Sequence, residues 1–179
     1  MALGATIYVF TVRLANSDRG VFEALNLRIA QHPSETAEYL LTRVLAYCLE
    51  YTEGISFSEG LSDPDKPAIA VRDLTGALNT WIDIGAPQAA RLHKASKAAK
   101  NVVVYAHREV EPLLVRLQTE RIYNGTGLKI IAMDRELLNI LVVKLARRMD
   151  FDLAVADQTI YLTIGNETLT ATLQSHSLK

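Results

Sequence analysis

The stretch "WIDIGAPQAARLHKASKAAK", Trp81 to Lys100, begins with β-rich residues and ends as a basic helix. Asp83 falls where the strand gives out, and Lys94 follows on the helix. An acid and an ammonium in this order raise one specific chemistry. A strand carboxylate can hold Mg²⁺ through its oxygens, and a nearby lysine can orient water and offset charge on a phosphate. The bland alternative is a core strand beside a solvated basic face, with Asp83 capping the following helix. Arg91, His93, Lys94, Lys97 and Lys100 have no acid between them, so the helix is also a local surface for nucleic-acid phosphates.

These residues need elements to position them. "ATIYVFTVRL" and "GVFEALNLRIA" are β-rich runs joined by "ANSDRG", which reads as a hairpin. In "HPSETAEYLLTRVLAYCLEY", Ala37, Leu40, Leu41, Val44, Leu45 and Cys48 recur at helical spacing, with Ser34 as the expected N-cap. "EGISFSEGLSDPDK" reads as loop. "PAIAVRD" and "ALNTWIDIG" flank "LTG" as a second hairpin. Pro87 suits the first turn of a helix running to about Lys100.

"NVVVYAH" is a near-continuous apolar run, as in a strand covered on both faces. A helix from Glu109 to about Arg121, the turn "NGTG", the strand "LKIIAM", and a helix capped by Asp134 and ending near Met149 come next. "DLAVA", "TIYLTIG" and "TLTATLQS" close the chain as strands. The order ββαββαβαβαβββ predicts an α/β (α+β) mixed sheet flanked by helices. The N- and C-terminal strands are expected to form a second, antiparallel layer.

Composition sets the bounds. The chain has 179 residues, 49% of them hydrophobic, which suits one domain over 1–179 with a sizeable core. A net charge of -1 gives no global field toward nucleic acid. One cysteine, Cys48, rules out an internal disulfide or a cysteine-rich zinc site, and its place on an apolar stripe predicts an inert thiol. His32, His93, His107 and His176 lack metal-ligand spacing, and no small-molecule cofactor motif is evident. No apolar run reaches the ~20 residues a bilayer span requires, and the N-terminus reads as a strand, so the expected compartment is the cytoplasm.

The segments "HPSETAEYLLTRVLAY", "RDLTG", "WIDIG", "RLHKASKAA" and "VVVYAH" resemble the YaeQ family in order and over the whole chain. The resemblance implies a compact variant of the PD-(D/E)XK nuclease-like fold. On that pattern Asp83 and Asp65 would be Mg²⁺ ligands, Lys94 the water-orienting cation and Glu38 an auxiliary acid. The chain departs from the pattern twice. Gly85 stands where acid-x-Lys would place the lysine, and Ala68 falls opposite Asp83, where the first acid belongs. Asp63 is a further substitute for that acid.

If Thr75 and Gly76 form the turn, facing residue numbers sum to about 151, Asp83 faces Ala68, and Asp73 lies ~16 Å away along the strand. Asp73 is then a turn residue. Lys94 is expected to turn inward to Asp83, with Arg91 as rival and Lys97 and Lys100 in solvent. Two functions follow: a Mg²⁺-dependent phosphodiester hydrolase with a degenerate site, or a binding or regulatory protein that keeps the fold without catalysis.

Overall fold

A computed structural model describes residues 4–58 and 63–179. The chain divides into two compact units, 1–41 with 134–173, and 42–133 with 174–179.

The first unit is built on strands β1 (Thr6–Asn16), β2 (Val21–Gln31), β8 (Arg148–Ala156), β9 (Thr159–Ile164) and β10 (Glu167–Thr172). They form one sheet in the order β10-β9-β8-β1-β2. β1 and β2 pair from Thr6↔Gln31 to Asn16↔Val21, the hairpin the sequence predicts. β8 buries Met149, Phe151, Leu153 and Val155 and exposes Asp150 and Asp152, a period of two that specifies a one-sided strand.

The expected antiparallel terminal layer needs one correction. β8 runs parallel to β1, with Arg13 opposite Asp152. Arg13 on β1 donates to both Asp150 and Asp152, so opposite charges on the solvent face match the parallel register. This bonding holds the Asp150 carboxyl below its usual range. Helix α4 (Arg135–Lys144) is capped by Asp134, whose Oδ1 accepts from Leu137 N at 2.8 Å. It ends five residues before Met149, because the alternating pattern of β8 already starts at Arg148.

The second unit carries β3 (Ile55–Phe57), β4 (Ile69–Arg72), β5 (Leu78–Ile84), β6 (Asn101–Ala106), β7 (Lys129–Ala132) and β11 (Gln174–Ser177). The sheet order is β11-β7-β6-β5-β4-β3, with β5, β6 and β7 mutually parallel. Two segments differ from the sequence reading. "ISF" is a short strand rather than loop, and "TLTATLQS" splits. Its last part, β11, leaves the first sheet after Leu173 and pairs with β7.

Helices α2 (Ala89–Ala98) and α3 (Glu111–Gln118) belong to this unit. Leu92, Ala95, Leu113, Leu114 and Leu117 from them join Trp81, Val102, Val104 and Ile130 from the strands in one core. α2 begins after Pro87, with Gln88 at the N-cap, and α3 stops short of Arg121. A single 3₁₀ turn at Gly125–Gly127 follows the left-handed Asn124.

The division between units falls within α1 (Ala37–Leu49). Its N-cap is Thr36, whose Oγ1 accepts from Tyr39 N at 3.1 Å, and not Ser34. Ser34 instead closes a local turn on His32 Nδ1. Leu40 to Ala46 are buried without interruption, and so is Cys48. Burial pushes the Cys48 thiol up to about 12, so it stays protonated and inert, as its apolar stripe predicts. Among the described residues no helix is long and apolar enough to cross a membrane.

Candidate functional site

The site is set by the β4–β5 hairpin of the second unit. Pairs Ile69↔Ile82 and Ala70↔Trp81 fix the register, and one further step places Ala68 opposite Asp83. A bulge at Val71/Arg72 falls between that end and the turn. Asp73 closes the turn: its Oδ1 accepts from Thr75 N, Thr75 Oγ1 and Ala77 N. These bonds hold the Asp73 carboxyl below its usual range. It is a turn residue, as its spacing predicts.

Side chains alternate along β5, so Trp81 and Asp83 face the same way. Trp81 lies in the core shared with α2, which directs Asp83 toward that helix. Asp83 is only 2% exposed. A carboxylate at that depth needs a partner. Arg91 supplies it, with Nε 2.7 Å from Oδ2 and Nη2 3.0 Å from Oδ1. The pair is the two-pronged fork that a guanidinium and a carboxylate form best. The Arg91 guanidinium also lies 5.3 Å from the centre of the Trp81 ring.

Arg91 does more than neutralise Asp83. Its Nη1 donates to Asp63 O at 3.1 Å and Nη2 to Lys66 O at 2.7 Å. One side chain thus fastens helix α2, strand β5 and the segment 63–67. Asp63 folds that segment locally by accepting from Asp65 N through Oδ1. Ser58 Oγ donates to Pro67 O on its far side.

Lys94 does not reach Asp83. It forms an exposed ion pair with Asp65. The rival, Arg91, takes the acid because it lies one turn earlier and nearer the strand end. The metal reading of Asp83 and Asp65 therefore fails a geometric test. Both oxygens of Asp83 are engaged by a cation, Ala68 brings no second carboxylate, and Asp65 turns to Lys94 in solvent. Mg²⁺ requires near-octahedral oxygen ligands at ~2.0–2.1 Å, and a guanidinium held on those oxygens opposes a divalent cation. The residues present do not fit the ion. Among the described residues no group of three His, Cys, Asp or Glu could hold a metal.

Gly85 explains the missing strand lysine. Its φ is +95°, a region that residues with a Cβ rarely adopt, and its N–H donates to Tyr105 O at 2.8 Å. A lysine in acid-x-Lys would be strained there. Glu38 stands in the first turn of α1, in the first unit, while Asp83, Asp65 and Lys94 belong to the second.

The rest of α2 divides by face. Lys97 on the helix and Lys100 just beyond its end are exposed, as expected. His93 is half-buried, and its Nδ1 accepts from Tyr123 N at 3.0 Å, tying the helix to the segment before "NGTG". The backbone carbonyls of Asp63 and Lys66 are the partners that residue types could not reveal. The one available signal was an arginine in the first turn of a helix that follows a buried acid.

The chain matches the family model described as YaeQ protein over residues 1–173. It is 30% identical to an uncharacterized protein YaeQ of Escherichia coli K12 over 174 residues, covering 97% of this chain and 96% of that one. It is 38% identical to the Salmonella typhi YaeQ protein over 107 residues, 60% of this chain and 59% of that one. The crystal structure of YaeQ protein from Pseudomonas syringae superposes with a TM-score of 0.88 at 29% identity, covering 98% and 97% of the two chains. That from Xanthomonas axonopodis pv. citri gives 0.86 at 30% identity, covering 98% and 99%.

Proposed function

The chain belongs to the YaeQ family, and on that premise we propose that it is a binding protein that retains a nuclease-like α/β unit without metal-dependent hydrolysis. The observation that carries this reading is the two-pronged Arg91–Asp83 pair at 2% exposure of the acid. A hydrolytic site of this type needs the strand acid free to bind Mg²⁺. Here the same acid serves as counter-ion to an arginine that anchors the segment 63–67. Freeing it by withdrawing Arg91 would break two hydrogen bonds to Asp83 and two to the carbonyls of Asp63 and Lys66.

The test is a Mn²⁺ titration by calorimetry together with a cleavage assay on single- and double-stranded DNA and RNA. The reading expects no saturable Mn²⁺ binding that depends on Asp83 or Asp65, and no metal-dependent cleavage. Mn²⁺ binding abolished by Asp65→Asn, an exposed substitution that leaves folding intact, would overturn it. So would cleavage lost in Asp83→Asn.

A further inference from the structure

We infer that the concavity between helix α2 and residues 121–124 is a nucleotide-binding site, taking a phosphate on Lys97 and Arg121 and a flat base against Tyr123. The inference deepens the binding reading and rests on it for the absence of turnover.

His93, Lys97, Arg121, Ile122, Tyr123 and Asn124 line an open concavity of about 600 Å³. That is within the ~300–1,000 Å³ range of small-molecule sites and exceeds what a lone phosphate fills. Among the described residues no carboxylate lines it. Lys97 and Arg121 approach it from different segments, and no ion pair joins either to an acid among the described residues. Elsewhere on the helix the cations are matched: Arg91 holds Asp83 and Lys94 holds Asp65.

The wall is held in shape. Tyr123 N donates to His93 Nδ1, which puts the proton of the neutral ring on Nε2 as its remaining donor. Asn124 turns the chain with φ +50° and lies against Gly127, where an added Cβ would stand 2.8 Å from Asn124 Nδ2. The Tyr123 residue is 56% exposed in spite of its apolar ring. Two unpaired cations, an amide, a ring donor and an open aromatic are the groups that hold a phosphate and stack a base. Free nucleotides and single strands share this chemistry.

Binding is measured by calorimetry on the full chain with adenosine 5′-monophosphate, adenosine, inorganic phosphate and a single-stranded deoxyadenosine hexamer. Adenosine monophosphate is expected to bind roughly tenfold or more tightly than either of its parts. Lys97→Ala and Arg121→Ala should each weaken it about fivefold or more, with the effect shrinking as salt rises. Tyr123→Leu should weaken the nucleotide and leave inorganic phosphate unchanged. Lys100→Ala, which removes an equal charge just beyond the C-terminus of the same helix, should change nothing.

A hexamer that binds more tightly than the monophosphate identifies a strand as the source, and the reverse identifies free nucleotide; both support the site. No binding of either, or an equal loss in Lys97→Ala and Lys100→Ala, overturns it. Metal-dependent cleavage of a hexamer whose binding still needs Tyr123 would sink the non-hydrolytic reading and leave the site standing.

Discussion

Arg91 and Lys97 stand on one helix, less than two turns apart, and the fold gives them opposite surroundings. At ~100° per residue they project from different sides. Arg91 points to the end of β5, where a carboxylate and two backbone carbonyls use its donors. Lys97 borders an open concavity beside Arg121, with no acid in the lining among the described residues. The contrast separates two uses of positive charge. A cation placed against a buried acid stabilises the molecule that holds it. A cation left unmatched beside a second one has its favourable partner outside the chain.

The largest effect should come from breaking the matched side. Arg91→Ala leaves the Asp83 carboxylate buried without its counter-ion, which costs ~3–5 kcal/mol. The double variant Asp83→Leu/Arg91→Met removes both charges and should recover most of that loss. Urea unfolding of the three proteins measures both. A loss below ~1 kcal/mol in Arg91→Ala would mean that water or another group replaces the arginine, and the matched side would then differ little from the unmatched one.

A second effect follows from the first. Cys48 is fully buried with its thiol pushed up to about 12, so modification by a disulfide reagent waits for the second unit to open. Arg91→Ala should speed labelling by roughly a hundredfold to a few thousandfold, in line with its ~3–5 kcal/mol stability loss. Lys97→Ala should label at the parent rate. Equal rates in all three would show that the thiol is reached by local fluctuation unrelated to the Asp83 knot.

The same two sides show how much was legible in the sequence. Ala68 opposite Asp83 and Asp73 in the turn are both as expected. The turn, however, closes from Asp73 to Ala77 rather than around Thr75 and Gly76, and the bulge at Val71/Arg72, which no residue type announced, restores the expected register. The cysteine in the core follows from helical spacing. The choice between Arg91 and Lys94 did not, because both lie on nearly one face and only the depth of Asp83 decides. A two-pronged donor matches a buried carboxylate, and the lysine beyond it meets an acid in solvent. The switch of β11 to a second sheet was hidden because "TLTATLQS" reads continuously as strand. The concavity was hidden because Lys97 and Arg121 lie far apart in sequence, and because the expected helix ran through Arg121, which the fold leaves outside α3.

Lys94 is the intermediate case, matched but in solvent. Its pair with Asp65 leaves both side chains more than half exposed. Lys94→Ala should cost no more than ~1 kcal/mol, and the difference should vanish in ~1 M salt, where screening acts within about 3 Å. A loss as large as that of Arg91→Ala, insensitive to salt, would place Lys94 in the knot rather than on its rim.

The smallest effect on stability belongs to the unmatched side, and it is the most telling. Lys97 and Arg121 are exposed and, among the described residues, have no acid in their shared lining. Removing either charge should move the unfolding free energy by less than ~0.5 kcal/mol, since no buried group loses a partner. The difference appears when ligand is added. A ligand at one hundred times its Kd stabilises the native state by ~2.7 kcal/mol. The parent should therefore show a raised Tm in saturating adenosine monophosphate, and Lys97→Ala a smaller rise at the same concentration. Arg91→Ala should start from a lower Tm and still gain from the ligand, because its side of the helix does not line the concavity. If Lys97→Ala lowered the Tm without ligand as far as Arg91→Ala does, Lys97 would be holding the fold, and the two sides of α2 would no longer differ in kind.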